Sequence, residues 1–362
     1  MGRILLLYVC LWFSSFGYCQ ELAPGFDASE YLELIQLGKQ QYFSDQHLLD
    51  SLTSAGKFKK VYASPEMGLK NQWDYWERDG SVGIVVIRGT VSDPASWLEN
   101  LYAASVPAKG SLQINDSTRF DYTLAANAKA KVHVGWTFGL AHLMPDIVKQ
   151  LKAAYARGVH SFILFGHSQG AAITYLVRSY LEYSQELPSG LVYKTYCSAP
   201  PKPGNIYYAN DFDFVTRNGW ALRVVNSEDW VPETPFTIQT LKDMNEVNPF
   251  GNVDAVFGKQ KWPVRWFLKS KYRKMDKVTR KAEKTYRKTL GNLLYSRVKV
   301  AAPGFKEPEY SHSMQYMTAG LPIVLAADSS YQQHFPFDGK NVFVHHNLGP
   351  YEYLVRLYYP VK

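Results

Sequence analysis

A serine hydroxyl is a weak nucleophile in neutral water. It becomes effective when an imidazole takes its proton and a carboxylate fixes the tautomer of that imidazole. The stretch Ser161-Phe162-Ile163-Leu164-Phe165-Gly166-His167-Ser168-Gln169-Gly170-Ala171-Ala172 offers such a serine. A short apolar run stops at Gly-x-Ser-x-Gly and is followed by residues of helical character. Ser168 is therefore expected on a tight strand-to-helix turn that pushes its hydroxyl into the open. The same pattern arises by chance in loops, but the run before it and Ala171 to Leu176 after it favour the turn. The chemistry would be acyl transfer through an activated serine.

Such an elbow calls for a carboxylate later in the chain and a histidine later still. Asp229 follows the apolar run 221–226 and precedes Pro232, which stiffens its loop; Glu228, Asp211 and Asp213 compete for the role. His47, His133, His142, His160 and His167 come too early, leaving His312, His334, His345 and His346. His346 lies between a strand-like run and the last helix, a natural place for a base. His312, in Ser311-His312-Ser313-Met314, stays open beside it. The oxyanion needs donors: the N–H of Gln169, directly after the nucleophile, and a second from the turn Arg88-Gly89-Thr90, where Thr90 adds a hydroxyl.

The elements that must position these residues are strands at 83–87, 161–165, 192–197 and 221–226, separated by helical segments. A helix is expected from Phe26 to about Leu52, a strand at 131–136 running into a helix at 137–156, and a strand pair at about 315–328. The elbow helix should run to about Ser184 and the last helix through Tyr358. This alternation means an α/β fold with a mostly parallel sheet and helices on both faces. Working residues in such sheets lie beyond the carboxyl ends of strands, where Thr90, Ser168 and Asp229 fall.

Arg3, an apolar run from Ile4 to Phe13 and Ser14-Ser15-Phe16-Gly17-Tyr18-Cys19 before polar Gln20 read as a secretory signal over 1–19, with lipoprotein anchoring at Cys19 the weaker option because Tyr18 is bulky. The remaining 20–362 read as one domain, exported to a secreted or periplasmic location. Cys197 is then the one cysteine of the mature chain and reads as a buried core thiol. Zinc-ligand spacing is absent from the sequence, and no metal or cofactor is called for. The formal charge is +8, yet 259–299 holds fifteen Lys or Arg against Asp276 and Glu283, a net +13 that leaves −5 for the rest. Within this basic insertion, at about 257–299, Leu268, Tyr272, Met275, Ala282, Tyr286, Leu290 and Leu293 recur at helical spacing. That stripe reads first as packing on the main body. The second reading is peripheral contact with anionic lipid led by Trp262, Trp266 and Phe267; nucleic acid is not expected as a partner of an exported chain.

Taken together, Val86-Ile87-Arg88-Gly89-Thr90, Val132-His133-Val134-Gly135-Trp136, Gly166-His167-Ser168-Gln169-Gly170, Ala199-Pro200-Pro201-Lys202-Pro203-Gly204-Asn205 and Arg223 to Pro232 occur in an order that resembles class 3 lipases, the fungal-lipase-like family. His346-Asn347-Leu348-Gly349-Pro350-Tyr351 is similar to that family's ending at its histidine. The resemblance covers roughly Ser81 to Tyr351. It implies an α/β-hydrolase fold, Ser168 as nucleophile, Asp229 as acid, His346 as base in preference to His312, and Thr90 with Gln169 as the oxyanion hole. It implies a lipid-ester substrate, with soluble or cell-wall esters, or a binding protein without catalysis, as the alternatives. The chain departs from the pattern in Gln169, where many members have Leu, in Ala171, where many have Gly, and in the basic insertion.

Overall fold

Strands covered on both faces need apolar residues at every position rather than at alternate ones. The stretches 84–87 and 162–165 meet that requirement: Val85, Ile87, Phe162 and Leu164 join one core, and Ile84, Val86, Ile163 and Phe165 the other. The computed structural model describes residues 21–248 and 261–360. The signal expected over 1–19, with Cys10 and Cys19, and the start of the insertion at 257 lie outside the described residues.

The chain begins with α1 (Ala28–Phe43) and α2 (Gln46–Ser54), followed by β1 (Phe58–Ala63), β2 (Trp73–Arg78) and β3 (Val82–Ile87). A connection holding α3 (Pro94–Leu101), β4 (Ser105–Pro107), β5 (Lys109–Gln113), β6 (Arg119–Thr123) and β7 (Lys131–His133) leads into α4 (Val134–Ala156). Then come β8 (Ser161–His167), α5 (Gln169–Tyr183), β9 (Val192–Ser198), α6 (Ile206–Val215) and β10 (Ala221–Asn226). The last part holds α7 (Trp262–Arg287), α8 (Leu294–Ala301), β11 (Leu321–Leu325), α9 (Ser329–His334) and α10 (Leu348–Tyr358). Among the described residues, one seven-stranded sheet runs in the order β1-β2-β3-β8-β9-β10-β11. From β3 onward its neighbours are parallel, while β1, β2 and β3 pair antiparallel, so the sheet is mostly parallel. Residues of α4 and α5 join the first core, and residues of α1 and α10 the second, which covers both faces.

Several boundaries differ from the sequence expectation. The helix expected over 26–52 is two helices, because Ser44 takes a left-handed φ of 50° and Asp45 caps α2 through the N–H groups of His47 and Leu48. The strand expected at 131–136 stops at His133, whose Nδ1 accepts from the N–H of Trp136 at 3.2 Å and caps α4. The pair expected over 315–328 is the single strand β11, parallel to β10, and Gly320 at φ 83° turns the chain into it. The basic segment continues from α7 through a wide turn at Lys288–Leu293 into α8. Met275 and Leu293, expected in its packing stripe, are exposed instead. Cys197 is free and fully buried, and burial pushes its thiol well above the ordinary range. None of the helices among the described residues is long and apolar enough to cross a membrane.

Candidate active site

Four loops at the carboxyl end of the parallel strands bring the site together. β8 ends at His167, and Ser168 takes φ 61°, ψ −130° before α5 starts at Gln169. A side chain rarely accepts a positive φ, so the turn is strained, and it persists because its surroundings leave no alternative. A Cβ on Gly166 would stand 2.3 Å from the carbonyl group of Gly170, and one on Gly170 would stand 2.2 Å from the carbonyl oxygen of Ile87. The two glycines thus let β8, α5 and β3 approach closely enough to lift Ser168 out of the sheet. Its N–H is fixed to the carbonyl of Ser198 at 2.9 Å, and the residue is half-buried at the wall of a cavity.

Asp229 stands just beyond β10. Its Oδ1 accepts from the N–H of Val231 at 3.0 Å. Its Oδ2 lies 2.7 Å from Nδ1 of His346 and accepts from the Tyr351 hydroxyl at 2.8 Å. Both Asp229 and His346 are buried. With Nδ1 facing the carboxylate, Nε2 is the nitrogen left to carry a proton to or from a reactant. Burial first, and the Asp229 carboxylate next, push the Tyr351 hydroxyl far above the ordinary phenol range, so it stays a donor. The rivals are engaged elsewhere or exposed. Asp211 accepts from Ala126 and Tyr183, Asp213 accepts from Gly320, Glu228 is exposed, and His312 is exposed and outside the cavity lining.

The loop carrying His346 is tied to two strand ends. Nδ2 of Asn226, the last residue of β10, donates to the carbonyl of His345 at 2.9 Å and to the Tyr331 hydroxyl at 2.7 Å. Nε2 of His167, the last residue of β8, donates to the carbonyl of His346 at 2.7 Å. Its Nδ1 is left as acceptor for the Ser198 hydroxyl at 2.9 Å, and Ser198 in turn accepts from Tyr31 at 2.5 Å. This chain fixes the tautomer of His167. Burial first, then the neighbouring His346, hold its pKa well below the ordinary imidazole range, so the ring is neutral.

On the other side of Ser168 lies a polar cluster. Gln169 opens α5, where its backbone N–H has no partner within the helix and is available to an anion. Its side-chain Oε1 accepts from the Thr90 hydroxyl at 2.7 Å and from Nδ2 of Asn100 at 2.9 Å. Asn100 also donates to Thr90 Oγ1 at 2.8 Å, and its own Oδ1 accepts from Nε1 of Trp136 at 3.0 Å. Beneath these, Nδ2 of Asn71 donates to Oε2 of Glu99 at 2.6 Å. Oε1 of Glu99 is buried and has no hydrogen-bond partner among the described residues. Burial pushes the Glu99 carboxyl up to about 8, against the Asn71 and Gln169 amides, which act the other way. The structure therefore gathers Ser168, Asp229, His346, Thr90 and Gln169 around one place, and adds His167, Asn100, Asn71, Glu99 and Tyr351. Tyr351 stands in the terminal motif and could have been singled out there; Asn71 and Glu99 carry no local signal.

The cavity has a volume of about 810 Å³ and is walled by Trp97, Leu101, Trp136, Pro235, Phe236, Leu290 and Phe343, with Thr90, Ser168, Gln169 and His346 at its polar end. Trp97 and Trp230 flank the ring of Phe343 at 5.7 and 5.4 Å between centroids. A site of this make-up holds an apolar chain with one polar group at the elbow. Among the described residues no group of three or more His, Cys, Asp or Glu side chains is arranged to hold a metal ion.

Comparison with protein families matches residues 84–239 to the family described as lipase (class 3). Comparison with the curated proteins finds no match. Among solved structures, the chain is similar to a fungal lipase in complex with an inhibitor at 18% identity and a TM-score of 0.44, covering 57% of this chain and 74% of that one. It is similar to lipase II from Rhizopus niveus at 18% identity and a TM-score of 0.42, with the same shares of 57% and 74%. The triacylglyceride lipase of Rhizomucor miehei is similar at 19% identity and a TM-score of 0.41, again over 57% and 74%.

Proposed function

From the premise that residues 84–239 make this chain a member of the class 3 lipase family, and so a lipase-like hydrolase, we propose that it cleaves carboxylic esters of lipids, acylglycerols among them, through an acyl-enzyme on Ser168. The observation that carries the reading is the contact of His346 with Asp229 at 2.7 Å, in a cavity that His346 shares with Ser168. In the proposed reaction Nε2 of His346 takes the Ser168 proton as Oγ attacks the ester carbonyl carbon. Asp229 balances the imidazolium. The oxyanion is met by the backbone N–H of Gln169 and by the Thr90 turn, each such donor being worth roughly 3 kcal/mol in the transition state. The tetrahedral species collapses, the alkoxide leaves with the proton from His346, and the acyl group stays on Ser168. Water then repeats the sequence, giving its proton to His346 and releasing the carboxylic acid and free Ser168.

The apolar wall of the cavity supports a fatty acyl chain over a small acetyl or a polar aromatic acid. The apolar run at Ile4 to Phe13 supports export, to a secreted or periplasmic location. The test uses the mature chain and its Ser168→Ala variant on p-nitrophenyl esters of rising chain length and on emulsified acylglycerol. Ser168→Ala is expected to lose nearly all activity while melting with the parent, and rates are expected to rise from acetyl toward longer chains. Equal slow rates from parent and variant would overturn the hydrolase reading.

A further inference from the structure

Resting on the lipid-ester reading of the cavity, we propose that α7 is a docking element for an anionic lipid surface and sets the mouth of the cavity against it. The helix carries ten Lys or Arg against Asp276 and Glu283. Both acids are used within the helix, by Arg280 at 2.8 Å and Arg287 at 2.8 Å, so the helix keeps a large positive excess.

Charge alone would describe a solvated helix, but α7 is not polar around its open side. Val264, Phe267, Met275 and Val278 are all exposed, and with Lys271 they follow one another at steps of three and four. They form one line along the helix. The ammonium of Lys271 lies 5.1 Å from the centre of the Phe267 ring, and Lys274 and Lys281 border the line. Beside this line run the half-buried residues Leu268, Tyr272, Ala282 and Tyr286, the last of which packs its ring on Phe236.

These features together select the partner. A nucleic acid would match the charge but offers nothing to Val264, Phe267, Met275 and Val278. A second copy would set one cationic helix against another. An anionic bilayer offers acyl chains to the line and phosphate to its lysine borders. The far end of the helix joins the site: the Tyr286 ring lies 6.1 Å from that of Phe236, and Phe236 and Leu290 both wall the cavity. The carbonyl of Leu290 accepts from the N–H of Ala104 at 3.2 Å, which fixes this end to the body.

The test measures co-sedimentation of the full mature chain as Ser168→Ala, which consumes no lipid, with vesicles of phosphatidylcholine alone and of phosphatidylcholine mixed with phosphatidylglycerol. Binding is expected to be at least about tenfold tighter to the mixed vesicles and to weaken with added salt. Phe267→Glu with Met275→Glu, and separately Lys274→Glu with Lys281→Glu, should each lower that binding by about tenfold or more. In the Ser168 background both pairs should hydrolyse a soluble short-chain ester at the parent rate. Equal binding to the two vesicle types, parent-like binding by the Phe267/Met275 pair, or tighter binding to duplex DNA than to mixed vesicles would overturn the proposal. A parent that binds mixed vesicles yet hydrolyses no ester would leave the docking surface standing and remove the hydrolase reading instead.

Discussion

Nε2 of His167 donates to the backbone carbonyl of His346 at 2.7 Å, so the residue before the elbow serine holds the residue that faces Asp229. The two arms of the site are joined beneath the reacting atoms, and the joint is a buried, neutral imidazole. His167→Ala would leave the carbonyl of His346 buried without its donor and free the loop to drift. A displacement of about 1 Å at a reacting group can lower a rate on the order of a hundredfold. The expected outcome is a kcat on a soluble ester reduced by about ten- to a hundredfold with KM nearly unchanged, and partial recovery in His167→Gln, which can present an N–H donor. Parent kcat in His167→Ala would refute the coupling.

Tyr351 shares Oδ2 of Asp229 with His346. Its hydroxyl holds the carboxylate in place beneath the imidazole. Tyr351→Phe should therefore lower kcat on a soluble ester with KM little changed, because the carboxylate is freer to turn away from Nδ1. It should also cost about 1.5–3 kcal/mol of stability, the usual range for a buried bond to a charged group. Steady-state kinetics and urea denaturation check both, and a parent kcat in the variant would show that the phenol does not position the pair.

The strands and the elbow were legible because each is written in consecutive residues. An unbroken apolar run such as Phe162 to Phe165 has few places to go but a sheet covered on both faces, and Gly166 and Gly170 mark the close approach on either side of Ser168. The split between α1 and α2 was not legible, because the left-handed turn at Ser44 carries no glycine to announce it. β1 and β2 were obscured by charged residues: Lys59 and Lys60 stand on the edge strand β1, and Asp74 of β2 is buried and paired with Lys60 at 2.7 Å, a cross-strand pair that only the fold reveals. The polar cluster joins Asn71, the consecutive Glu99 and Asn100 of α3, and Gln169 of α5, three places in the chain that only the fold makes neighbours. Between His312 and His346 the order test was silent, and burial against Asp229 distinguishes them.

Glu99 links the polar cluster to pH. Its carboxyl is pushed up by burial from 4.5 to about 8. Below about 4.5 the group is protonated in both folded and unfolded chains and contributes no pH dependence. Between about 4.5 and about 8 the unfolded chain gives up the proton and the folded chain keeps it, so stability falls as pH rises through that window. His133, lowered by burial to about 3, and His167 act in the opposite sense, losing stability as pH falls below 6.5. Both are retained in Glu99→Gln, so comparing variant with parent isolates the carboxyl. Urea unfolding at pH 5 and pH 8 should show the parent losing about 2–4 kcal/mol more than the variant over that interval. Equal losses would mean that Glu99 is ionised in the folded chain at both values.

Gly170 bears on both sides of the oxyanion site at once. A Cβ there would stand 2.2 Å from the carbonyl oxygen of Ile87 and 3.0 Å from the carbonyl carbon of Arg88. Those atoms are backbone and cannot swing aside as a side chain would, so Gly170→Ala must push α5 away from the end of β3. That movement separates the N–H of Gln169 from the Thr90 turn, the two groups proposed to meet the oxyanion, and it strains the core between α5 and β3. Overpacking of this kind costs about 1–3 kcal/mol, and loss of one aligned oxyanion donor lowers kcat by roughly a hundredfold or more. Gly170→Ala should therefore melt earlier than the parent and, at a temperature where both are folded, hydrolyse a soluble ester with kcat reduced by that order and KM little changed. A variant that melts earlier but keeps the parent kcat would show that the spacing of β3 and α5 serves the fold alone.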